Sequence, residues 1–183
     1  SHACAAGRSL DLGVGRLLQV GIRAYSKEEA EIIENDERIT TFFARDTQSP
    51  TSGHESWKAW LSELSTLEGP VHLTIDIDGL DGSLVPATGT PVPGGLSYWQ
   101  AIETIQAVFN APKAVVISAD VNEIVAHDGS PLTEFTAAML ATKAIVSHTK
   151  ARREGRWAAQ GTQAGKNRDV ESSTFFTTKI GNA

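Results

Sequence analysis

The sequence predicts an α/β fold of three layers (αβα), in which helices cover both faces of a mainly parallel β-sheet. Short apolar runs alternate along the chain with segments that have helical periodicity. Such alternation is typical of parallel strands joined by helical crossovers. The length of 183 residues is enough for one hydrophobic core of ordinary size, so we expect a single domain.

The first half of the chain contains two predicted strands and two predicted helices. Residues 17–22 and 39–44 are apolar, β-branched or aromatic, which is typical of buried strands. Between them, Ser26 can cap a helix, and Glu29 stands three residues later, which is the spacing of a capping box. Residues 52–67 predict the second helix. Its apolar face carries residues at helical spacing, namely Trp57, Trp60, Leu61 and Leu64.

The second half of the chain continues the alternation around a long loop. Residues 71–77 and 114–121 predict strands. Residues 79–95 are rich in glycine and proline, so they predict an ordered loop rather than a regular element. Ser97 is expected to cap the helix after this loop. Residues 131–148 predict the last helix. We expect one of its faces to be buried, namely Phe135, Ala138, Met139, Thr142 and Ile145.

Composition limits the classes of function. Periodicity stops near residue 150, so we divide the chain into a folded part, residues 1–150, and a C-terminal tail, residues 151–183, that is expected to be loosely ordered. The net charge of −6 argues against a nucleic-acid partner and favours a small cation. No apolar run reaches the roughly 18 residues of a membrane span. The single cysteine, Cys4, excludes an intramolecular disulfide, and we expect a cytoplasmic location.

Acidic residues mark the end of the strand predicted at residues 71–77. Because side chains alternate across a strand, we expect the carboxylates of Asp76 and Asp78 to point the same way. They stand at the carboxyl end of the strand, where open α/β sheets keep their sites. Neighbouring carboxylates repel each other and favour a cation between them, and oxygen ligands suit Mg²⁺, Ca²⁺ or Mn²⁺. A plain acidic cluster at a strand–loop junction is the alternative.

The loop after these carboxylates makes the metal interpretation more specific. Residues 86–95 read Pro-Ala-Thr-Gly-Thr-Pro-Val-Pro-Gly-Gly, and this composition implies a defined backbone path beside the carboxylates. Together with Asp-Ile-Asp-Gly-Leu-Asp at residues 76–81, the loop resembles the third signature of the ureohydrolases. This family includes arginase, agmatinase, guanidinobutyrase and formimidoylglutamase. The resemblance extends over about residues 1–149.

The resemblance implies an arginase-like fold and a centre of two Mn²⁺ ions. It implies that Asp76 bridges the ions and that Asp78 is a ligand of one of them. The family's other ligands lie in a Gly-Gly-Asp-His motif and an Asp-Ala-His-x-Asp motif, and neither motif occurs in this sequence. We therefore expect residues 1–150 to be the C-terminal part of a ureohydrolase domain whose N-terminal part is missing. We also expect the 183-residue chain alone to be inactive.

The resemblance assigns roles to two further residues. His2 matches the histidine that shuttles a proton near the leaving amine, a task that suits imidazole. Glu123 matches the glutamate that holds the substrate guanidinium, which a carboxylate can bind by paired hydrogen bonds. The alternatives are a terminal histidine without function and a solvated loop acid. His72 shares the strand face of Asp76, but we expect a buried histidine with satisfied hydrogen bonds rather than a ligand.

The implied reaction is hydrolysis of a guanidino group to urea and an amine. The acidic net charge favours the cation agmatine as substrate, with putrescine as product, and the enzyme is expected to be a homo-oligomer. One alternative is a related amidino- or formimino-hydrolase, such as guanidinobutyrase, arginase or formimidoylglutamase. The other is a non-catalytic remnant without a complete metal site. Ala3, Gly82 and Ala87 depart from the residues usual in the family and leave the substrate open.

Overall fold

The computed structural model describes residues 2–126, 129–157 and 175–180, with only the backbone described for residues 2–6 and 175–180. A one-turn 3₁₀ helix, Ile77–Gly79, follows the third strand. No helix within these ranges has the length and apolar character needed to cross a membrane. The other elements are α1 (His2–Asp11), β1 (Val14–Ile22), α2 (Lys27–Asn35), β2 (Ile39–Phe43), α3 (Ala44–Thr47), α4 (Gly53–Leu64), β3 (Glu68–Asp76), α5 (Tyr98–Asn110), β4 (Lys113–Asn122), α6 (Leu132–Arg153) and β5 (Phe175–Ile180).

The five strands form one sheet in the order β2-β1-β5-β3-β4, and every neighbouring pair is parallel. The predicted α/β class and parallel sheet are therefore confirmed. The four strands and four helices predicted from the sequence all occur, with boundaries shifted by a few residues. The predicted capping box at Ser26 and Glu29 is present. Ser97 also caps its helix, in a second capping box with Gln100.

The last strand, β5, lies between β1 and β3 in the middle of the sheet. Ile180 is level with Val20 on one side and with Ile75 on the other. This segment belongs to the part of the chain that we assigned to a C-terminal tail, and α6 also continues past residue 150 to Arg153. Residues 158–174 and 181–183 lie outside the described residues, so the division of the chain at residue 150 stays a prediction.

The hydrophobic core joins the helices α4 and α5 to the sheet. Trp60 is fully buried, and its indole N–H donates to the Thr104 hydroxyl at 2.9 Å. Trp57, one turn earlier, donates to Glu103 Oε2 at 2.7 Å. Both tryptophans therefore bury their rings and still satisfy their N–H groups on α5. The predicted apolar face of α4 is confirmed at Trp57, Trp60 and Leu64.

The helix α6 buries a different face from the one that we expected. The side chains of Phe135, Met139 and Ile145 are 68%, 51% and 66% exposed. The expectation that they are buried is wrong, because α6 packs against α5 and β4 through smaller residues. Both faces of α6 carry apolar residues, so helical spacing alone did not distinguish between them. The buried residues of α6 are Thr133, Thr136, Ala137, Leu140, Ala144, Ser147 and Ala151.

The chain leaves the sheet directly after Asp76, where β3 ends. Ile77, Asp78 and Gly79 form the 3₁₀ turn, which the Leu80 N–H closes by donating to the Ile77 carbonyl at 3.1 Å. Asp78 is therefore not part of a strand, and strand alternation, on which its predicted direction rested, does not set the direction of its side chain. The carbonyl groups after Asp76 are bonded to other partners instead of to a neighbouring strand.

The loop of residues 80–96 folds back on itself and is closed at its base. The Asp81 N–H donates to the Leu96 carbonyl, and the Leu96 N–H donates to the Gly79 carbonyl, both at 3.0 Å. The Asp81 carboxylate accepts from the Ser83 hydroxyl at 2.6 Å and from the Gly94 N–H at 2.7 Å. These donors, led by the Ser83 hydroxyl and the Ser83 N–H, lower the pKa of Asp81 to about 2. Asp81 is thus an anchor of the loop.

The outward face of α6 leads to a first prediction. Replacing Phe135 and Met139 with glutamine should change the free energy of unfolding by no more than about 0.5 kcal/mol, because both side chains are exposed. It should also reduce concentration-dependent association, because large exposed apolar patches promote it. Urea denaturation and sedimentation velocity measure the two effects. Leu140→Ala, on the buried face, should cost about 2–5 kcal/mol. An equal cost for the exposed pair would contradict the orientation of α6.

A second prediction concerns the pH dependence that Asp81 contributes. A lowered pKa in the folded state means that the ionised carboxylate stabilises the fold above its unfolded pKa of about 3.9, and that this contribution is lost as the pH falls towards 2. Asp81→Asn should therefore destabilise the chain at pH 7 by about 1 kcal/mol, a value reduced by solvent screening. The difference from the unsubstituted chain should shrink between pH 5 and about 2 in urea titrations. Ser83→Ala should give a smaller effect of the same sign.

Candidate functional site

Two carboxylates are buried at the carboxyl end of β3. Asp76 is only 1% exposed and Asp78 only 5%. Oδ2 of Asp78 accepts a hydrogen bond from the Thr90 hydroxyl at 2.8 Å. Oδ1 of Asp78 is also buried and has no hydrogen-bond partner among the described residues. Burying an ionised oxygen without a partner is costly, and such groups in proteins are usually paired with a cation or a donor.

The loop that follows β3 continues the site from Asp78 towards Glu123. Thr90, which bonds to Asp78, donates its own N–H to the Thr88 hydroxyl at 3.2 Å. Between these threonines, Gly89 faces Glu123, since a Cβ added at Gly89 would lie 3.9 Å from Glu123 Oε2. The Val125 N–H donates to the Ala87 carbonyl at 3.1 Å and ties the two loops together. The structure therefore links Glu123 to the buried carboxylates through one short loop.

Glu123 has an unusual backbone conformation. Its φ of 65° lies in the left-handed region, which glycine favours and larger residues rarely adopt. Glu123 is the only residue other than glycine with a positive φ in the described ranges. Backbone strain of this kind costs of the order of 1–3 kcal/mol and is concentrated at functional sites. The conformation lies one residue past β4, at the same sheet edge as Asp76.

A polar network joins residues that precede Asp76 on β3 to their neighbours on β4. The Asp120 carboxylate accepts from the Thr74 hydroxyl at 2.6 Å and from the Asn122 amide at 2.6 Å. His72 Nε2 lies 3.0 Å from Asp120 Oδ2, and His72 Nδ1 lies 2.7 Å from the Ser118 hydroxyl. His72 thus has hydrogen-bonding partners, as expected, but its side chain is 35% exposed, so the expectation of burial was wrong.

The other predicted residue, His2, is the first residue of α1. Its side chain lies outside the described part of the structure, so its role stays a prediction. In the described ranges, no group of three or more histidine, cysteine, aspartate or glutamate side chains forms a set that could hold a metal. The chemistry of Asp76 and Asp78 nevertheless fits a hard divalent cation, because both residues are buried carboxylates and Oδ1 of Asp78 has no hydrogen bond within the described part of the chain.

Thr90 was not among the site residues predicted from the sequence. Thr90 stands in the Thr-Gly-Thr-Pro stretch on which the family resemblance partly rests, so its identity was visible but its role was not. The role depends on the loop folding back until the Thr90 hydroxyl reaches Asp78, twelve positions earlier in the chain. Local sequence patterns do not report a contact of that kind.

Solved structures of ureohydrolases share this fold. Over 84% of this chain and 49% of the other, the structure resembles the agmatine ureohydrolase of Thermoplasma volcanium with a TM-score of 0.67 and 27% identity. It also resembles the arginase of Bacillus subtilis over 69% of this chain and 42% of the other, with a TM-score of 0.56 and 26% identity. The arginase-like fold is therefore confirmed.

Curated relatives agree with the structural likeness. An N(1)-aminopropylagmatine ureohydrolase of Synechocystis is 35% identical over 78% of this chain and 44% of its own length. An agmatinase of Pyrococcus horikoshii is 34% identical over 76% of this chain and 45% of its own length. This chain thus spans less than half the length of these relatives. A family model described as the arginase family matches residues 1–147. The chain belongs to the arginase family.

Proposed function

We propose that this chain supplies two ligands, Asp76 and Asp78, to a binuclear Mn²⁺ centre in a hydrolase that converts a guanidino compound to urea and an amine. The observation that carries the proposal is the pair of buried carboxylates at the end of β3, with Oδ1 of Asp78 buried and without a hydrogen bond among the described residues. A divalent cation would offset the cost of burying this charge.

The two aspartates cannot complete such a centre alone. Divalent cations with oxygen ligands usually bind about six donors, so two ions need more groups than Asp76 and Asp78 provide. The family's histidine-containing motifs are absent from the 183 residues. We therefore propose that the remaining ligands come from outside this sequence and that residues 1–183 alone are inactive. A domain of this fold that never acquires a complete metal site is the competing hypothesis.

The chain's own residues would act on the substrate from two sides. When bound, the metal ions would supply a hydroxide near neutral pH by lowering the pKa of water. Glu123 would bind the planar guanidinium by charge-assisted hydrogen bonds and orient its central carbon towards Asp76. The strained backbone of Glu123 supports this role. His2 would give a proton to the departing amine, for which imidazole has a suitable pKa.

Agmatine is the substrate that we favour, with putrescine as the second product. The names of the relatives, agmatinase and N(1)-aminopropylagmatine ureohydrolase, support a decarboxylated cationic substrate. The net charge of −6 supports the same class over a substrate with a carboxylate. We also propose a homo-oligomeric, cytoplasmic enzyme without nucleic-acid or membrane partners.

Urea release from agmatine, N(1)-aminopropylagmatine, arginine and guanidinobutyrate by the complete gene product distinguishes the substrates. Formamide release from formimidoylglutamate would identify the formimino-hydrolase instead.

Substituting either buried aspartate tests the metal site. Asp76→Ala and Asp78→Ala in the complete gene product should abolish urea release. Each should weaken Mn²⁺ binding by more than the roughly 10–100-fold that is typical for residues outside the first coordination shell. Metal content by atomic emission and urea production by colorimetry are the measurements. Asp46→Ala, at an exposed position on α3, is the control and should retain both. Two tightly bound ions and full turnover in either test variant would refute the proposed centre.

Substituting Glu123 separates substrate binding from metal binding. Glu123→Gln should keep the bound manganese but lose one charge-assisted interaction with the guanidinium, which is worth roughly 1.5–3 kcal/mol. The expected result is a fall in kcat/KM by a factor of about 10 to 150. Steady-state kinetics and metal analysis on the same preparation measure both quantities. Loss of manganese with unchanged turnover per metal would mean that Glu123 is a ligand or a structural residue.

A further inference from the structure

Arg23 lies just past the end of β1 and binds the main chain of the turn that carries Asp78. Its Nη1 donates to the Gly79 carbonyl at 3.0 Å and to the Gly21 carbonyl at 3.1 Å. Its Nη2 donates to the Asp78 carbonyl, and the Leu80 carbonyl lies at 3.4 Å. One planar guanidinium therefore contacts the carbonyl groups of three consecutive residues of the turn and one carbonyl of its own strand.

The backbone around Arg23 leaves little space for anything else. A Cβ added at Gly95 would lie 2.6 Å from Arg23 Nη1 and 2.4 Å from the Leu80 carbonyl oxygen. Gly21 has a φ of +85°, a conformation that other residues rarely adopt, and its carbonyl group accepts from Arg23. A side chain at Gly95 would collide with the guanidinium, and one at Gly21 would be strained. Gly95, in the Gly-Gly pair of the predicted loop, thus leaves room for Arg23 because it has no side chain.

The electrostatics of Arg23 are unlike those of an ordinary ion pair. Burial lowers the pKa of Arg23, while the charges of Asp78 and Asp81 raise it. None of its four carbonyl contacts uses the Asp78 carboxylate, and Arg23 Nε is buried without a hydrogen bond among the described residues. A buried donor without a partner is unfavourable, so maximal stability does not account for this arrangement. Arg23 holds the main chain of Asp78 and leaves Oδ1 of that residue available to a cation.

We infer that Arg23 is a positioning residue that fixes the 3₁₀ turn and thereby sets where the Asp78 carboxylate meets a divalent cation. Without Arg23, the Asp78 carbonyl would lose this donor and would need water instead, and the Gly79 carbonyl would be left with the Leu96 N–H. The turn would then sample several conformations, and a metal ligand is weakened by errors of about half an ångström. The metal part of this inference rests on the proposed function, whereas the role of Arg23 in holding the turn does not.

The test compares Arg23→Gln and Arg23→Lys with the unsubstituted complete gene product, and uses two measurements. Amide hydrogen exchange at Leu80, Asp81 and Leu96 reports the turn, because these N–H groups close it. The Leu17 N–H, which pairs with the Arg38 carbonyl, is the internal reference. Electron paramagnetic resonance titration with Mn²⁺ reports the affinity of the carboxylates. Arg16→Gln is the matched control, since Arg16 also extends from β1 but binds Glu63 and Thr66 away from the turn.

Arg23→Gln should speed exchange at the three turn amides at least about tenfold relative to Leu17, and should weaken Mn²⁺ binding at least about tenfold. Arg23→Lys should show the same two changes, because one ammonium group cannot reach all four carbonyl groups that the guanidinium contacts. Should the glutamine variant fail to fold, the lysine variant carries the same test. Arg16→Gln should change neither quantity.

The outcomes separate the two proposals. Unchanged turn amides in both Arg23 variants would overturn the positioning role, whatever the metal does. Faster exchange with unchanged Mn²⁺ affinity would also overturn it, since the turn would then not set the ligand. Complete absence of Mn²⁺ binding by the unsubstituted complete gene product would instead count against the metal part of the proposed function, and the exchange measurement would still decide whether Arg23 holds the turn.

Discussion

The chain has to leave the sheet within one residue of Asp76, and the need to satisfy the backbone at that point governs the rest of the site. Carbonyl groups that depart from a buried strand need new donors. Here the donors are a guanidinium from β1 and the Leu96 N–H from the far end of the loop. Asp78 can be buried beside the end of β3 because its main chain is bonded in this way. The glycines of the loop, the anchoring of Asp81 and the position of Thr90 all follow from the same closure.

Asp78 and Asp81 are close in sequence, but their carboxylates have different surroundings. Asp81, at the base of the loop, accepts hydrogen bonds from Ser83 and Gly94 and is stabilised by them. In the described ranges, the Thr90 hydroxyl donates to Oδ2 of Asp78, and the buried Oδ1 of Asp78 accepts no hydrogen bond. A carboxylate whose bonds are satisfied internally anchors the backbone, whereas one that is buried with a single donor has capacity left for a ligand. This contrast distinguishes the structural aspartate from the candidate metal ligand more clearly than their spacing in the sequence does.

What could be predicted from the sequence was local. The capping box at Ser26, the cap at Ser97 and the helical face of Trp57, Trp60 and Leu64 depend on residues a few positions apart, and each was found. The 3₁₀ turn at Asp78 is contacted by an arginine 55 positions earlier, and strand alternation does not apply to a residue in that turn. The buried face of α6 depends on packing against α5 and β4, which its own spacing does not report. A cation site at Asp76 and Asp78 was predicted from the residues themselves, the family resemblance added the roles of His2 and Glu123, and all of these stay predictions.

The position of β5 has a consequence for the order of folding. The pairs β1–β2 and β3–β4 each join strands that are separated by one crossover, so they can form early. The strand that lies between these two pairs comes about a hundred residues after β3. Pairing β5 with β3 closes a loop of about a hundred residues. The entropic cost of closing that loop makes this pairing slow. Until it closes, each pair exposes an unpaired inner edge of the kind on which chains misassemble. The centre of the sheet, beside Asp76, is therefore the last part of the sheet to become protected.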